Sequence, residues 1–319
     1  MSNLNWLSEE QMGRLKPYFP KSRGKPRVDD RRVLSGIIFI NRNGLRWSDA
    51  PAEYGPPKTL YNRWKRWSDM GVFARIMTGL AAEAPDNKTI SIDATYLKAH
   101  RTASSLGLKK GGRGRLIGQT KGGMNTKLHA VTDTSGRPIQ FFITAGQVSD
   151  YTGAAALLSC LPDAEWLLAD RGYDADWFRE ALIDRGITPC IPGRKSRSKT
   201  TKYDKRRYKR RNRIERMFGR LKDWRRISTR YDRCPKVFLS AIALAATVIF
   251  WLSVWNLGHV DRKHCERCEH GNNQKKQESI CRNFIAVEFL GQRDTFSQST
   301  LSQVCNNDHD GTGDKQQNL

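Results

Sequence analysis

Up to about residue 84 the apolar positions recur at helical spacing. Ser8 is placed to start a helix running to about Lys16, and Asp29 or Asp30 to start a second. In that second helix Val33, Leu34, Ile37, Ile38 and Phe39 are apolar, and it ends near Asn43-Gly44. After Pro51, Pro56 and Pro57, residues 58–70 put Leu60, Trp64 and Trp67 on one face, with Lys58, Arg63, Lys65 and Arg66 on others. Gly71 breaks this third helix, and residues 72–82 form a fourth. Beyond Pro85 the period falls to two. Residues 88–96, with Ile90 and Ile92 facing one way, then 124–132 and 138–144 read as a three-stranded antiparallel meander turning at Asp133-Thr134-Ser135-Gly136. A helix (150–161), a buried strand (165–169), a helix (174–184) and a strand (187–191) follow. A basic loop (194–207), a long helix (205–226) and an apolar helix from Pro235 complete the pattern. It predicts an α/β fold: a mixed sheet with helices on both faces, preceded by a small all-α unit.

Two segments admit more than one reading on pattern alone. The basic, aromatic third helix suits a helix-turn-helix-like DNA-binding unit, and equally a helical packing domain with a solvated basic face. Residues 237–257 carry no charge over a length that spans a bilayer, and a helix buried on all sides looks the same.

Charge narrows the class. The 319 residues hold 56 Lys+Arg against 32 Asp+Glu, a formal net charge of +24, while nine Trp exclude a disordered basic tail. That balance disfavours an ordinary metabolic enzyme and points to a polyanion partner, nucleic acid or an anionic membrane surface. The excess is local. Residues 258–319 carry eight basic and nine acidic side chains, whereas 194–233 carry nineteen basic and four acidic. Seven cysteines at irregular spacing do not form a disulfide framework, and residues 1–10 show no secretion signal, so a reducing intracellular compartment is expected. Cys265 and Cys268 with His264 and His270 lack a second well-spaced ligand pair; a zinc site is the alternative to reading the neutral end, 258–319, as a polar unstructured tail.

Three acids stand at informative places: Asp93 inside the first strand, Asp170 just after the apolar strand, and Glu215 in the most basic helix. Taken singly, each could be salt-bridged to one of the many arginines. On a helix of about 100° per residue, Tyr208, Arg211, Glu215 and Lys222 share a stripe about 60° wide. Ile214, Met217, Phe218 and Leu221 make the adjacent apolar face, and Arg213, Arg216 and Arg220 the far one. Two divalent metals about 4 Å apart, held by a few carboxylates and flanked by cations, are the arrangement used for phosphodiester cleavage.

The run Tyr208-x2-Arg211-x3-Glu215-x6-Lys222 resembles the Tyr-Arg-Glu-Lys signature of bacterial insertion-sequence transposases. SIDATYLKAHR around Asp93 and LLADRGYDAD around Asp170 resemble the first two acids of their DDE triad, and GGMNTKLHAVTD and WRRISTRYDR resemble phrases of the insertion sequence five family. The resemblance covers about residues 1–255. It implies a helical DNA-binding domain (1–84), an RNase H-like catalytic domain (88–257) and an atypical tail (258–319). By the same carry-over Asp93, Asp170 and Glu215 hold Mg²⁺ or Mn²⁺, two ions in all, while Tyr208, Arg211 and Lys222 contact DNA. Residues 235–257 become the last helix, packed on the sheet, with no membrane. The 44 residues between Asp170 and Glu215 leave no room for the β-rich insertion domain of some relatives.

Further phosphate contacts are expected from Arg213, Arg216, Arg220, Lys121, Lys127, Lys58, Arg63 and Lys65, with Arg113 and Arg115 either on that track or solvated. His100 either assists the site or is structural. The expected activity is cleavage and transfer of DNA strands at terminal inverted repeats, by a bacterial, cytoplasmic, nucleoid-associated homodimer on paired double-stranded ends. An RNase H-like nuclease or resolvase, and a non-catalytic or inactivated DNA-binding protein, are the alternatives.

Overall fold

Four helices realise the helical spacing of the first segment: α1 (Glu9–Leu15), α2 (Asp30–Asn43), α3 (Pro57–Asp69) and α4 (Val72–Glu83). Ser8 closes a capping box with Gln11, Asp29 caps α2, and Gly44 ends α2 at φ 71°. The computed structural model describes residues 4–21, 29–83, 85–105, 112–197 and 201–252, without the side chains of 112, 113 and 151. The tail 258–319 with its Cys/His group therefore lies outside the described residues.

The sheet begins with β1 (Thr89–Ala99), followed by the short helix α5 (Arg101–Ser104) and strands β2 (Gly118–Thr120), β3 (Gly123–Thr132) and β4 (Pro138–Ala145). Helix α6 (Asp150–Leu158), strand β5 (Trp166–Leu168), helix α7 (Asp176–Asp184) and strand β6 (Thr188–Cys190) alternate after it. Then come α8 (Lys205–Tyr208), α9 (Asn212–Lys222), α10 (Arg225–Ser228), β7 (Thr229–Arg230) and α11 (Pro235–Ala246), which continues as a π-helical stretch, Thr247–Leu252. Strand β3 pairs antiparallel with β1 on one edge and with β4 and β2 on the other; β5 runs parallel between β1 and β6. This mixed sheet, flanked by helices, is an RNase H-like fold behind an all-helical region.

Alternation along the strands sorts the core into two layers. Ile90, Ile92, Val131 and Phe142 join Leu157, Phe178 and Leu182 of α6 and α7 on one face. Leu97, Leu128, Ala130, Phe141 and Ile143 face the other way, against α9, α11 and the helices of residues 1–84, so that helical region shares one continuous core with the sheet. The segment 235–252 is long and apolar enough to cross a membrane, and 72% of it is buried inside this core. It packs against α4 and β4 as a core helix.

The long helix expected at 205–226 is instead broken, which corrects the sequence reading. Residues Lys209–Arg211 form a 3-10 turn between α8 and α9, and Trp224, buried, turns out of helical geometry before α10. Residues 205–211 are Lys-Arg-Arg-Tyr-Lys-Arg-Arg, and like charges three and four apart oppose a continuous α-helix. Positions i and i+3 eclipse in a 3-10 turn, which aligns Tyr208 with Arg211 more closely than α-helical winding does. Strands β2 and β7, of three and two residues, were also not anticipated.

Beneath β3, on the α6 side, His129 is fully buried, its Nε2 3.0 Å from Thr144 Oγ1 and its ring against Phe142. A Cβ on Gly153 would overlap this imidazole, so the glycine makes its room. Burial lowers the imidazole pKa from 6.5 to about 4. An unfolded chain takes up this proton near pH 6.5 and the folded one does not. The stability His129 contributes is therefore present above pH 6.5 and lost as pH falls towards 4, an effect of about 3 kcal/mol. Urea denaturation at pH 7.5 and 4.5 is expected to show a smaller acid loss in His129→Gln than in the parent.

Candidate active site

Register brings the first two acids level. Ser91 of β1 pairs with Leu168 of the parallel strand β5, so Asp93 and Asp170, each two residues further on, reach the same end of the sheet. On this edge β1 pairs with β5 at residues 89–91 and with β7 at 98–99, and α9 packs along it. Helix α9 is held there by Ile214, Met217, Phe218 and Leu221, all buried and each worth about 1.5–3 kcal/mol. That placement turns the adjacent stripe, with Glu215 in its first turn, towards Asp93.

Arg211 joins two of the acids. Its Nη2 donates to Asp93 Oδ2 at 3.1 Å and its Nη1 to Glu215 Oε1. Asp93 also accepts the Ala94 N–H at 2.8 Å. Burial drives the Asp93 carboxyl up from 3.8 to about 6, against the pull of Arg211 and the Ala94 N–H and with the repulsion of Asp170 and Glu215. Asp170 and Glu215 thus both lie near enough to act on the Asp93 charge. Asp170 Oδ1 caps the turn Arg171–Tyr173 by accepting the Gly172 N–H at 2.8 Å. Lys222 Nζ donates to Thr95 Oγ1 at 2.7 Å, two residues along β1, and burial lowers its pKa. Burial raises the Tyr208 phenol, with Arg211 opposing and Asp170 adding.

Three neighbours escaped the sequence reading. Asp174, almost fully buried, accepts Arg179 Nε at 2.8 Å, Arg194 N at 2.7 Å and Arg197 Nε at 3.0 Å. Arg194 Nη2 in turn donates to Gly172 O at 2.8 Å, clamping the 191–197 loop onto the turn that carries Asp170. Asp150, at the start of α6, and Asp170 each place an oxygen within 3.5 Å of the point where a Cβ on Gly172 would stand. The Tyr173 hydroxyl is buried with no hydrogen-bond partner among the described residues; burial, then Asp150, Asp93 and Asp170, push its pKa well up. The acid-rich phrase DRGYDAD is the sequence signal for Tyr173 and Asp174, and Asp150 reads only as a helix start.

The expected phosphate contacts separate by placement. Arg216, Lys121 and Lys58 are exposed. Arg213 donates to Thr134 O, Arg220 lies over Phe250, Arg63 binds Asp30 at 2.5 Å and covers Trp67, and Lys65 binds Asp69 at 2.5 Å. Lys127 corrects the expectation of a surface phosphate contact: it is buried, its Nζ donating to Val148 O at 2.6 Å and Asp150 Oδ1 at 3.1 Å. Its strand position directs it under α6, not towards solvent. Arg115 donates to Ala103 O and Ser105 O, and the side chain of Arg113 lies outside the described residues. His100 caps α5 and stacks on Tyr231, a structural role.

Oxygen donors alone suit hard divalent cations such as Mg²⁺ or Mn²⁺. Among the described residues no group of three His, Cys, Asp or Glu is gathered closely enough to hold a metal ion. Asp93 and Glu215 nevertheless converge on a cation, the Arg211 guanidinium, so the donor set fits a positive charge at this point.

Residues 84–250 match the family described as "Transposase DDE domain", and residues 7–77 one described as "Putative transposase of IS4/5 family (DUF4096)". A Brucella ovis protein named for insertion sequence element IS6501 is 38% identical over 130 residues, covering 40% of this chain and 99% of its own length. A Burkholderia cepacia protein named for element IS402 is 31% identical over 137 residues, 40% of this chain and 63% of its own. The piggyBac transposase synaptic complex with hairpin DNA aligns with 95% of this chain and 83% of its own, at 9% identity and a TM-score of 0.44.

Proposed function

The chain belongs to the transposase DDE-domain family, and on that premise we propose that it cuts and rejoins DNA strands at the terminal inverted repeats of an insertion sequence. One observation carries the reading most. Acids 122 positions apart, Asp93 and Glu215, converge on one guanidinium beside Asp170, at the edge of the most basic part of the chain. The Tyr208-Arg211-Glu215-Lys222 spacing, with the IS4/5-family match of residues 7–77, supports the insertion sequence five branch.

In this reading Asp93, Asp170 and Glu215 would hold the divalent ions, whose chemistry when bound would be to neutralise charge in an in-line displacement. Tyr208 and Lys222 orient the cleaved strand beside the acids. Asp174, through Arg194, keeps the Asp170 turn in place. The exposed Arg216, Lys121 and Lys58 extend the phosphate track, and the helical region 1–84 supplies further DNA contacts. Transfer of two ends calls for a homodimer.

The test is a duplex taken from the DNA flanking this reading frame, incubated with the purified chain and Mg²⁺. Nicking at one edge of the repeat, followed by joining of the freed 3′ end to a second duplex, is expected. Nicking without joining favours the nuclease alternative. Binding with neither step reduces the protein to a DNA-binding one.

A further inference from the structure

Arg211 lies between the first and third acids, and its three donor positions are used unequally. Nη2 and Nη1 serve Asp93 and Glu215, while Nε is buried without a hydrogen-bond partner. A guanidinium presents five N–H donors in a planar fork that a phosphate or a carboxylate can engage in pairs. Here each outer arm holds a different carboxylate and no pair is completed on one of them. The arrangement is open on one side: the Asp93 and Arg211 side chains are 13% and 15% exposed, that of Glu215 53%. Arg211 closes a 3-10 turn whose other members, Lys209 and Arg210, are exposed, so its side chain starts beside a surface that attracts polyanions.

A guanidinium and a divalent ion compete for these oxygens. While the guanidinium is in place, a divalent ion meets both its repulsion and occupied lone pairs. With the guanidinium withdrawn, Asp93, Asp170 and Glu215 repel one another in partly desolvated surroundings, which favours uptake of a divalent cation. A DNA phosphodiester offers Arg211 paired oxygens on one group, which the two separate acids do not.

We propose that Arg211 is a positioning residue that makes metal loading depend on DNA. It ties Asp93 to Glu215 until a backbone phosphate draws it away, and the divalent ions then take the position the guanidinium leaves. The inference rests on the reading of the three acids as metal ligands. Binding linkage is reciprocal, so divalent ions must also tighten DNA binding by the same factor.

The experiment measures Mn²⁺ binding to the full chain without DNA, from the electron paramagnetic resonance signal of free Mn²⁺. Arg211→Gln is expected to bind Mn²⁺ about tenfold more tightly than the parent or better, and the double variant with Asp93→Ala to lose that gain. Arg211→Lys, whose single ammonium cannot bridge both acids, is expected to fall between, and serves if the Gln variant does not fold. For the duplex described above, Ca²⁺ is expected to raise the parent's affinity and to leave that of Arg211→Gln unchanged. The inference is overturned if folded Arg211→Gln and Arg211→Lys bind Mn²⁺ no more tightly than the parent. Failure of the underlying metal-ligand reading looks different: the Mn²⁺ bound by parent with duplex, or by either variant, would be untouched by Asp93→Ala.

Discussion

An Asp93→Asn chain is expected to lose Mg²⁺-dependent strand cleavage by about three orders of magnitude or more, while melting no lower than the parent at pH 7.5. The two effects separate because Asp93 is costly to the fold. Its carboxyl is buried and titrates at about 6 when folded against 3.8 ordinarily. For a carboxyl raised in this way, the stability it contributes is fully present below pH 3.8 and lost as pH rises through 6. At pH 7.5 the ionised side chain therefore opposes folding, by up to about 3 kcal/mol. Asparagine keeps one acceptor, for the Ala94 N–H, gives up the oxygen that Arg211 uses, and removes the buried charge. Thermal melts at pH 7.5 and 4.5, beside nicking of the flanking duplex, check both halves. The gap between variant and parent should close at the lower pH. A variant that still cleaves would remove Asp93 from the reaction, and one that unfolds would make it a structural residue.

Arg230→Ala is expected to lower stability by about 3–5 kcal/mol, a fall of roughly 5–10 °C in melting temperature for a chain of this size. Arg230 is fully buried, yet its guanidinium donates to Asp232 O at 2.8 Å, Thr126 Oγ1 at 2.6 Å, Arg233 O at 3.1 Å and Leu116 O at 3.3 Å. It also lies over the Phe238 ring at 4.9 Å, joining β7, β3 and α11. Burial lowers its pKa to about 10, which leaves it charged at neutral pH. Truncation removes four hydrogen bonds at once, with Leu116 O alone keeping a second donor among the described residues, Thr126 Oγ1, and Arg230→Lys is expected to rescue little because one ammonium cannot face all four acceptors. Differential scanning calorimetry of the three chains distinguishes this from a surface arginine, whose loss shifts stability by about 0.5 kcal/mol or less.

Most element boundaries were legible because they rest on local physics. Ser8 caps α1, Asp29 caps α2, Gly44 adopts positive φ, and Ile90 and Ile92 alternate onto one face. Electrostatic crowding within residues 205–211 is legible too, as composition, but helical spacing alone predicts one long helix where three α-helices stand. Lys127 shows the opposite limit. A lysine between apolar strand residues in a basic chain reads as a phosphate contact, and only the arrival of α6 above β3 gives its ammonium Val148 O and Asp150 as partners. Asp174 reads as a helix start and becomes the anchor of a loop 20 residues away, because the arginines that need it come from α7 and from beyond β6.

What the sequence determined by itself was therefore the set of elements, their two periodicities, the concentration of positive charge in 194–233 and the identity of the acids set among it. Each depends on neighbours within a few residues, where spacing and side-chain chemistry decide. Tertiary structure alone decided that the register of β1 with β5 sets Asp93 level with Asp170, that α9 lies along β1 with Glu215 turned inward, and that Arg211 bridges Asp93 and Glu215. Apart from the local Arg211–Glu215 pair, those contacts join residues more than seventy positions apart. Their geometry is fixed by the packing of Ile214, Met217, Phe218 and Leu221 against the sheet, and no local pattern encodes where one packed layer comes to rest upon another.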